Sequence, residues 1–165
     1  MKTERTRYHE FTPWNGVVHA VLWGVVLLSS YPILAGWDGD VAPHLRLPIV
    51  GGIVAITGAL VWAVGGLTVR VQESRVVMHL GRWPLIRSSI PFEDIISLRS
   101  IEYRPLGEFG GWGMRGLGKR RAWSARGNLA VALRLTGDRE VLIGSDHPKR
   151  LEERIRTLAG ISLHD

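Results

Sequence analysis

Two long stretches without a charged residue limit what this chain can fold into. Gly16–Gly36 reads GVVHAVLWGVVLLSSYPILAG and Pro48–Leu67 reads PIVGGIVAITGALVWAVGGL; neither contains Asp, Glu, Lys or Arg. A helix rises about 1.5 Å per residue, so runs of this length match a hydrocarbon core roughly 30 Å thick. A helix packed on a soluble domain keeps one polar face. Both runs are therefore expected to be transmembrane helices, about 16–36 and 48–67, forming a hairpin over residues 14–67. A cleaved signal peptide fits the first run poorly, because the run exceeds an h-region of about 7–15 residues and no small-x-small cleavage site follows it.

Charge sets the expected orientation. Lys2, Arg5 and Arg7 precede the first run, and Arg70, Arg75, Arg82 and Arg87 follow the second. The connecting loop Trp37–Leu47 holds only Arg46, against Asp38 and Asp40. An excess of cations on one side predicts a multi-pass protein of the cytoplasmic (inner) membrane with both termini cytoplasmic, residues 1–13 being a cytoplasmic tail. Trp14 and Trp37 bracket the first helix, as interfacial aromatics do. The Arg- and Gly-rich composition is compatible with a bacterial inner membrane.

Small residues recur at every fourth position: Gly16, Ala20 and Gly24 in the first run, and Gly51, Ala55, Ala59 and Ala63 in the second. Such a stripe lies along one helix face and lets two backbones approach closely, so these residues are expected to pack the hairpin against itself. His19 is an ionisable residue within a span, but neither run offers it a carboxylate or a second histidine. It is read as a neutral imidazole near the interface.

After Leu67 the apolar pattern changes period. LTVRVQ, RVVMHL, LIRSSI, IISLRSIEY, NLAVALRLT and EVLIGS alternate or carry β-branched residues, which predicts six or seven short strands. Gly81–Pro84, Pro91–Asp94 and Gly137–Asp138 are turn signals between them. A closing helix is expected where Asp146 or His147 caps, Pro148 opens and Gly160 stops the run. Its apolar face is Leu151, Ile155, Leu158 and Ala159, and Glu152–Arg156 is spaced for an ion pair. A helix of this kind must bury its face against the sheet, giving a strongly bent sheet or a partial barrel plugged by the helix.

The order of LTVRVQESRVVMHLG, IPFEDIISLRSIEY, the glycine-rich FGGWGMRG and NLAVALRLTGDREVLIGSDHPKRLEERI resembles a bacterial pleckstrin-homology-like domain on a two-helix membrane anchor. The resemblance implies an α+β chain: a transmembrane hairpin followed by a PH-like antiparallel partial β-barrel over residues 68–160, capped by a C-terminal helix, with 161–165 as a tail. Members of that fold bind lipids, peptides or proteins. The phosphoinositide motif of eukaryotic members has no equivalent here.

Gly107–Trp123, GEFGGWGMRGLGKRRAW, is unlike a plain strand. Gly111-x-Gly113-x-x-Gly116 imitates a dinucleotide fingerprint, and Gly113 to Lys119 approaches a P-loop. Both motifs require a following helix, and RRAWSARGNLAVAL continues in strands. One reading of the segment is a β-connection whose glycines serve the backbone. The others make Trp112, Arg115, Lys119, Arg120, Arg121 and Trp123 a contact for anionic lipid or a partner protein. The formal net charge of +6 resides in residues 68–165, because Lys2, Arg5, Arg7 and Arg46 are offset by Glu4, Glu10, Asp38 and Asp40. A basic domain beside a membrane favours lipid over nucleic acid, for which no motif is present.

With no cysteine in the chain, thiolate metal sites and cysteine nucleophiles are excluded. The six histidines are scattered, and no HExxH or GxSxG pattern occurs. No cofactor, metal or catalytic residue is expected. The sequence therefore points to a non-catalytic membrane-anchored interaction module, or scaffold, whose partners are membrane lipid and a membrane protein or complex, with self-association left open. Two alternatives are an accessory or assembly subunit of a larger membrane complex and a small membrane enzyme.

Overall fold

The computed structural model describes residues 4–37, 39, 41–116 and 118–161. Asp38, Asp40 and nearly all of the expected 161–165 tail lie outside the described residues. The two apolar runs are helices α1 (Gly16–Ala35) and α2 (Pro43–Val64), both long and apolar enough to cross a membrane. Asn15 caps α1, its side chain accepting from the Val17 N–H at 3.0 Å. α2 begins five residues before the expected Pro48 and ends three before Leu67. A hydropathy criterion stops at His44 and Arg46, whereas Pro43 suits a first helical turn whatever follows it. At the other end the Gly65–Gly66 pair ends the helix and opens a strand.

The small-residue stripes do not pack the hairpin. Gly16, Ala20, Gly24, Gly51, Ala55 and Ala59 are exposed and Ala63 is half-buried. A Cβ added at Gly16, Gly24 or Gly51 would meet nothing within 4 Å. The buried side of α1 is Val26 and Ser30, and the Trp23 ring reaches across to Gly58 of α2. Both helices are apolar on every face, so spacing alone does not decide which face meets which.

The hairpin runs directly into a sheet. Residues 8–13 are not a tail: Tyr8–Pro13 is strand β1, two residues before α1, and β2 (Gly66–Val71) starts one residue after α2. The two pair antiparallel from Pro13↔Gly66 to Tyr8↔Val71. β3 (Arg75–Leu80) and β4 (Arg87–Pro91) complete a four-stranded antiparallel sheet in the order β1-β2-β3-β4. A single 3-10 turn, Phe92–Asp94, leads to β5 (Ile95–Glu102). After it come a short helix α3 (Pro105–Phe109), β6 (Gly113–Arg115), β7 (Arg120–Ser124), β8 (Leu129–Leu135), β9 (Arg139–Gly144) and helix α4 (Pro148–Ala159). The second sheet has the order β5-β8-β9-β7-β6, with β7 parallel to β9. The sheets do not close into a barrel.

The main core lies between the two sheets and α4. Leu67, Val69, Met78, Trp123, Leu133, Ile143, Leu151 and Ile155 meet there. Ala122, Ala130, Ala132 and Leu142 form a second cluster on the other face of the second sheet with Tyr103, and Phe109 of α3 covers it. α4 opens at Pro148 and stops at Gly160, which has a φ of 67°. Neither expected side chain caps it. His147 makes no side-chain cap bond, and Asp146 is held by Arg126 at 2.7 Å. Glu10 of β1 takes over that end, accepting from Ser145 Oγ at 2.8 Å and the Asp146 N–H at 2.9 Å. A carboxylate there favours the positive end of the helix dipole.

Candidate functional site

Gly107–Trp123 is folded into the second sheet. Trp112 is half-buried, its Nε1–H donating to Gly127 O at 2.9 Å. Arg115 is exposed and donates back to Trp112 O at 3.1 Å. Lys119 pairs with Asp138 at 3.1 Å. Arg120 bridges Glu108 at 3.0 Å and Glu140 at 2.8 Å, and its guanidinium lies 5.1 Å from the centre of the Phe109 ring. Glu108 is held below the usual carboxylate range, first by the Arg104 N–H and then by Arg120. Arg121 is exposed and lines a small cavity of about 150 Å³ with Ser88, Asp94 and Arg139. Trp123 is only 4% exposed and belongs to the main core, which removes it from any contact surface in this fold. The segment does not gather its cations on one surface: Arg120 and Arg121, successive in β7, line different sides of the sheet, and the charges of Lys119 and Arg120 are locally met by acids.

A second surface forms where the helices meet the first sheet. Gly81, at the end of β3, has a φ of 70° and lies against the last turn of α2; a Cβ there would collide with Ala63 O and Val64 Cα. The Arg82 N–H donates to Ala63 O at 2.9 Å, and Arg82 Nη1 donates to Trp62 O at 3.1 Å. The same guanidinium stacks 4.5 Å above the Phe11 ring and 5.6 Å from Trp62. Trp62 and Trp83 meet edge to face at 6.4 Å, and Trp14 lies 6.5 Å from His19. Tyr31 and Trp37 pair at the opposite end of α1, 5.4 Å apart. Aromatic side chains thus gather at both ends of the apolar helices. The sequence marks Gly81–Pro84 as a turn and LIRSSI as a strand, which splits the apolar run WPLI beside Arg82; the strand begins only at Arg87, leaving Leu85 and Ile86 in the loop.

Beneath this surface, His79 is 1% exposed, and neither ring nitrogen has a hydrogen-bond partner among the described residues. Burial pushes its pKa down; the backbone at Leu80 and Gly81 opposes that, while the charges of Arg70 and His9 act with it, and the net shift is downward. Across the domain, Glu152 of α4 accepts from the Ser100 N–H at 2.7 Å and from Arg156 at 2.6 Å. Burial alone would raise its pKa; the bonds from Ser100 and Arg156 outweigh that and hold it below the usual range. Among the described residues, no group of three or more His, Asp or Glu side chains is placed to hold a metal ion.

No protein-family model matches the chain, and no curated protein matches it significantly.

Proposed function

We propose that this chain is a non-catalytic interaction module fixed to the cytoplasmic face of a membrane, where its folded domain binds a protein partner or anionic lipid. The observation that carries the reading is the direct passage of both apolar helices into one strand pair. α1 follows β1 and α2 precedes β2 with at most two residues between, and β1 and β2 are hydrogen-bonded neighbours. A domain joined in this way does not swing on a linker. It presents one fixed surface to the bilayer and confines its binding sites to a thin layer, which raises their effective concentration toward membrane partners. The aromatic clusters at both helix ends support membrane crossing, since such side chains favour the interface. The pleckstrin-homology-like part of the reading rests on the sequence resemblance alone; the open sheets and the parallel β7–β9 pair depart from an antiparallel barrel.

The test is membrane extraction followed by purification in mild detergent, with mass spectrometry and light scattering. The expected result is retention in carbonate-washed membranes and cytoplasmic protease access to the domain. Release by carbonate would end the anchored reading.

A second reading, an accessory subunit of a larger membrane complex, is favoured by the outward small-residue faces. Gly16, Gly24 and Gly51 have open space where a neighbouring helix would pack. The same purification separates the two: a stoichiometric membrane complex supports the subunit, and a lone monomer or homo-oligomer removes it.

A further inference from the structure

We infer that the β3–β4 loop, Arg82–Ile86, is a second membrane contact, seating Trp83, Leu85 and Ile86 at the headgroup–acyl boundary beside the end of α2. The inference rests on the anchored reading above and extends it to a specific lipid-facing surface.

Three observations carry it. The first is exposure: Trp83 is 57%, Leu85 69% and Ile86 48% exposed, in a contiguous run around Pro84. A contiguous exposed apolar cluster marks a contact surface, and an interface between water and hydrocarbon is one such surface.

The second is depth. The 22 residues of α2 extend about 33 Å at 1.5 Å per residue, close to the roughly 30 Å of a hydrocarbon core. Its last turn therefore lies at an interface if the helix crosses. The loop is bonded to that turn: Arg82 and Trp83 both direct backbone N–H groups at Ala63 O, at 2.9 and 3.4 Å. Gly81 brings the backbones into contact at a position no side chain could share. The loop is thus held at the level of Trp62 to Val64.

The third is chemistry. Arg82 and Arg87 flank the apolar run and are exposed. A cation on either side of a tryptophan, proline and aliphatic cluster suits a surface whose phosphates lie just above its acyl chains. Among the described residues the basic segment near Lys119 shows no comparable apolar run, and Lys119 and Arg120 already have acidic neighbours.

The absence of cysteine makes the test direct. Leu85→Cys and Ile56→Cys, each labelled with an environment-sensitive fluorophore, are reconstituted as full-length protein. The vesicles contain phosphatidylethanolamine and phosphatidylglycerol with quenchers either near the headgroup or at the acyl-chain ends. The expected result is blue-shifted emission at both sites, with Leu85 losing more intensity to the shallow quencher and Ile56 more to the deep one. Ile86→Cys repeats the measurement should the Leu85 variant fold poorly. A quenched Ile56 label with a water-like Leu85 label overturns the loop contact and leaves the anchor standing. If neither label is quenched, the anchored reading fails and the inference goes with it. A Leu85 label that is water-exposed in these vesicles but shielded in native membranes identifies a protein occupant, which also overturns the lipid assignment.

Discussion

The loop Gly81–Ile86 and the segment Gly107–Trp123 both set arginine beside tryptophan. Their surroundings make them opposites. In the first, backbone contacts are tight and the apolar side chains are left exposed: Gly81 is pressed on α2 while Trp83 and Leu85 stand largely in the open. In the second, side chains are occupied and several glycines are unconfined. Trp112 is bonded, Arg120 meets two acids, and a Cβ at Gly110, Gly113 or Gly118 would touch nothing within 4 Å. A count of basic and aromatic residues singles out the second segment. Binding, however, depends on the surface left after a fold has satisfied its own groups.

The largest effect that distinguishes them is expected from paired tryptophan substitutions. Trp123→Ala empties a site in the main core and should cost about 3–5 kcal/mol. Trp83→Ala removes an exposed side chain and should cost under about 1 kcal/mol. Thermal unfolding of both variants in one detergent measures the gap, and equal losses would mean that Trp83 is buried by something in the native protein.

Next in size is the contrast between glycines. Gly81→Val adds a collision with the α2 backbone to the strain of a positive φ, and is expected to lose about 2–4 kcal/mol. Gly110→Ala, at a φ of 69° with open space around it, should lose only the conformational penalty of about 1–2 kcal/mol. If Gly81→Val were as mild as Gly110→Ala, the loop would not be held at the level of Ala63, and its inferred depth in the bilayer would lose its basis.

These contrasts also explain what the sequence could reveal. Alternation exposed β2 to β5, β8 and β9 because each of those strands carries an apolar inward face. β7 lies in RRAWS, which is expected to continue in strands, but it shows no alternation, because Ala122, Trp123 and Ser124 are buried in succession, one face against the main core and the other beneath α3. A strand covered on both sides loses its period. β1 escaped because Glu10, on the same face as Tyr8, serves the start of α4 instead of the apolar core. The candidate site was only partly legible. Lys119 and Arg120 stand out as charges, but their partners Asp138 and Glu140 lie 19 and 20 residues away, beyond any local pattern.

Acid separates the two ends of the domain. His79, at the helix junction, has a pKa lowered from 6.5 by burial, and Glu152, at the α4–β5 contact, has one lowered from 4.5. In each case the unfolded chain binds a proton more readily than the folded one. The His79 contribution is therefore complete above about pH 6.5 and is lost as pH falls through its lower folded value. The Glu152 contribution is complete above about pH 4.5 and is lost on further acidification. Stability against pH should descend in two steps, with His79→Phe abolishing the upper one and Glu152→Gln the lower. A single step in the native protein, unchanged by His79→Phe, would show that the imidazole is solvated and the junction looser than its burial implies.

The smallest effect tests whether the basic segment is as occupied as its ion pairs suggest. Arg120 is half-exposed, so losing its pairs with Glu108 and Glu140 in Arg120→Gln should cost only about 0.5–1 kcal/mol. The difference from the native protein should narrow at high salt, where exposed charges are screened. A salt-dependent difference of that size means that the guanidinium is engaged within the fold, and a lipid phosphate would have to compete with two carboxylates for it. No difference at low salt would mean that Arg120 is energetically free. The segment would then regain its claim as an electrostatic membrane contact, at about 1 kcal/mol for each cation near an anionic surface.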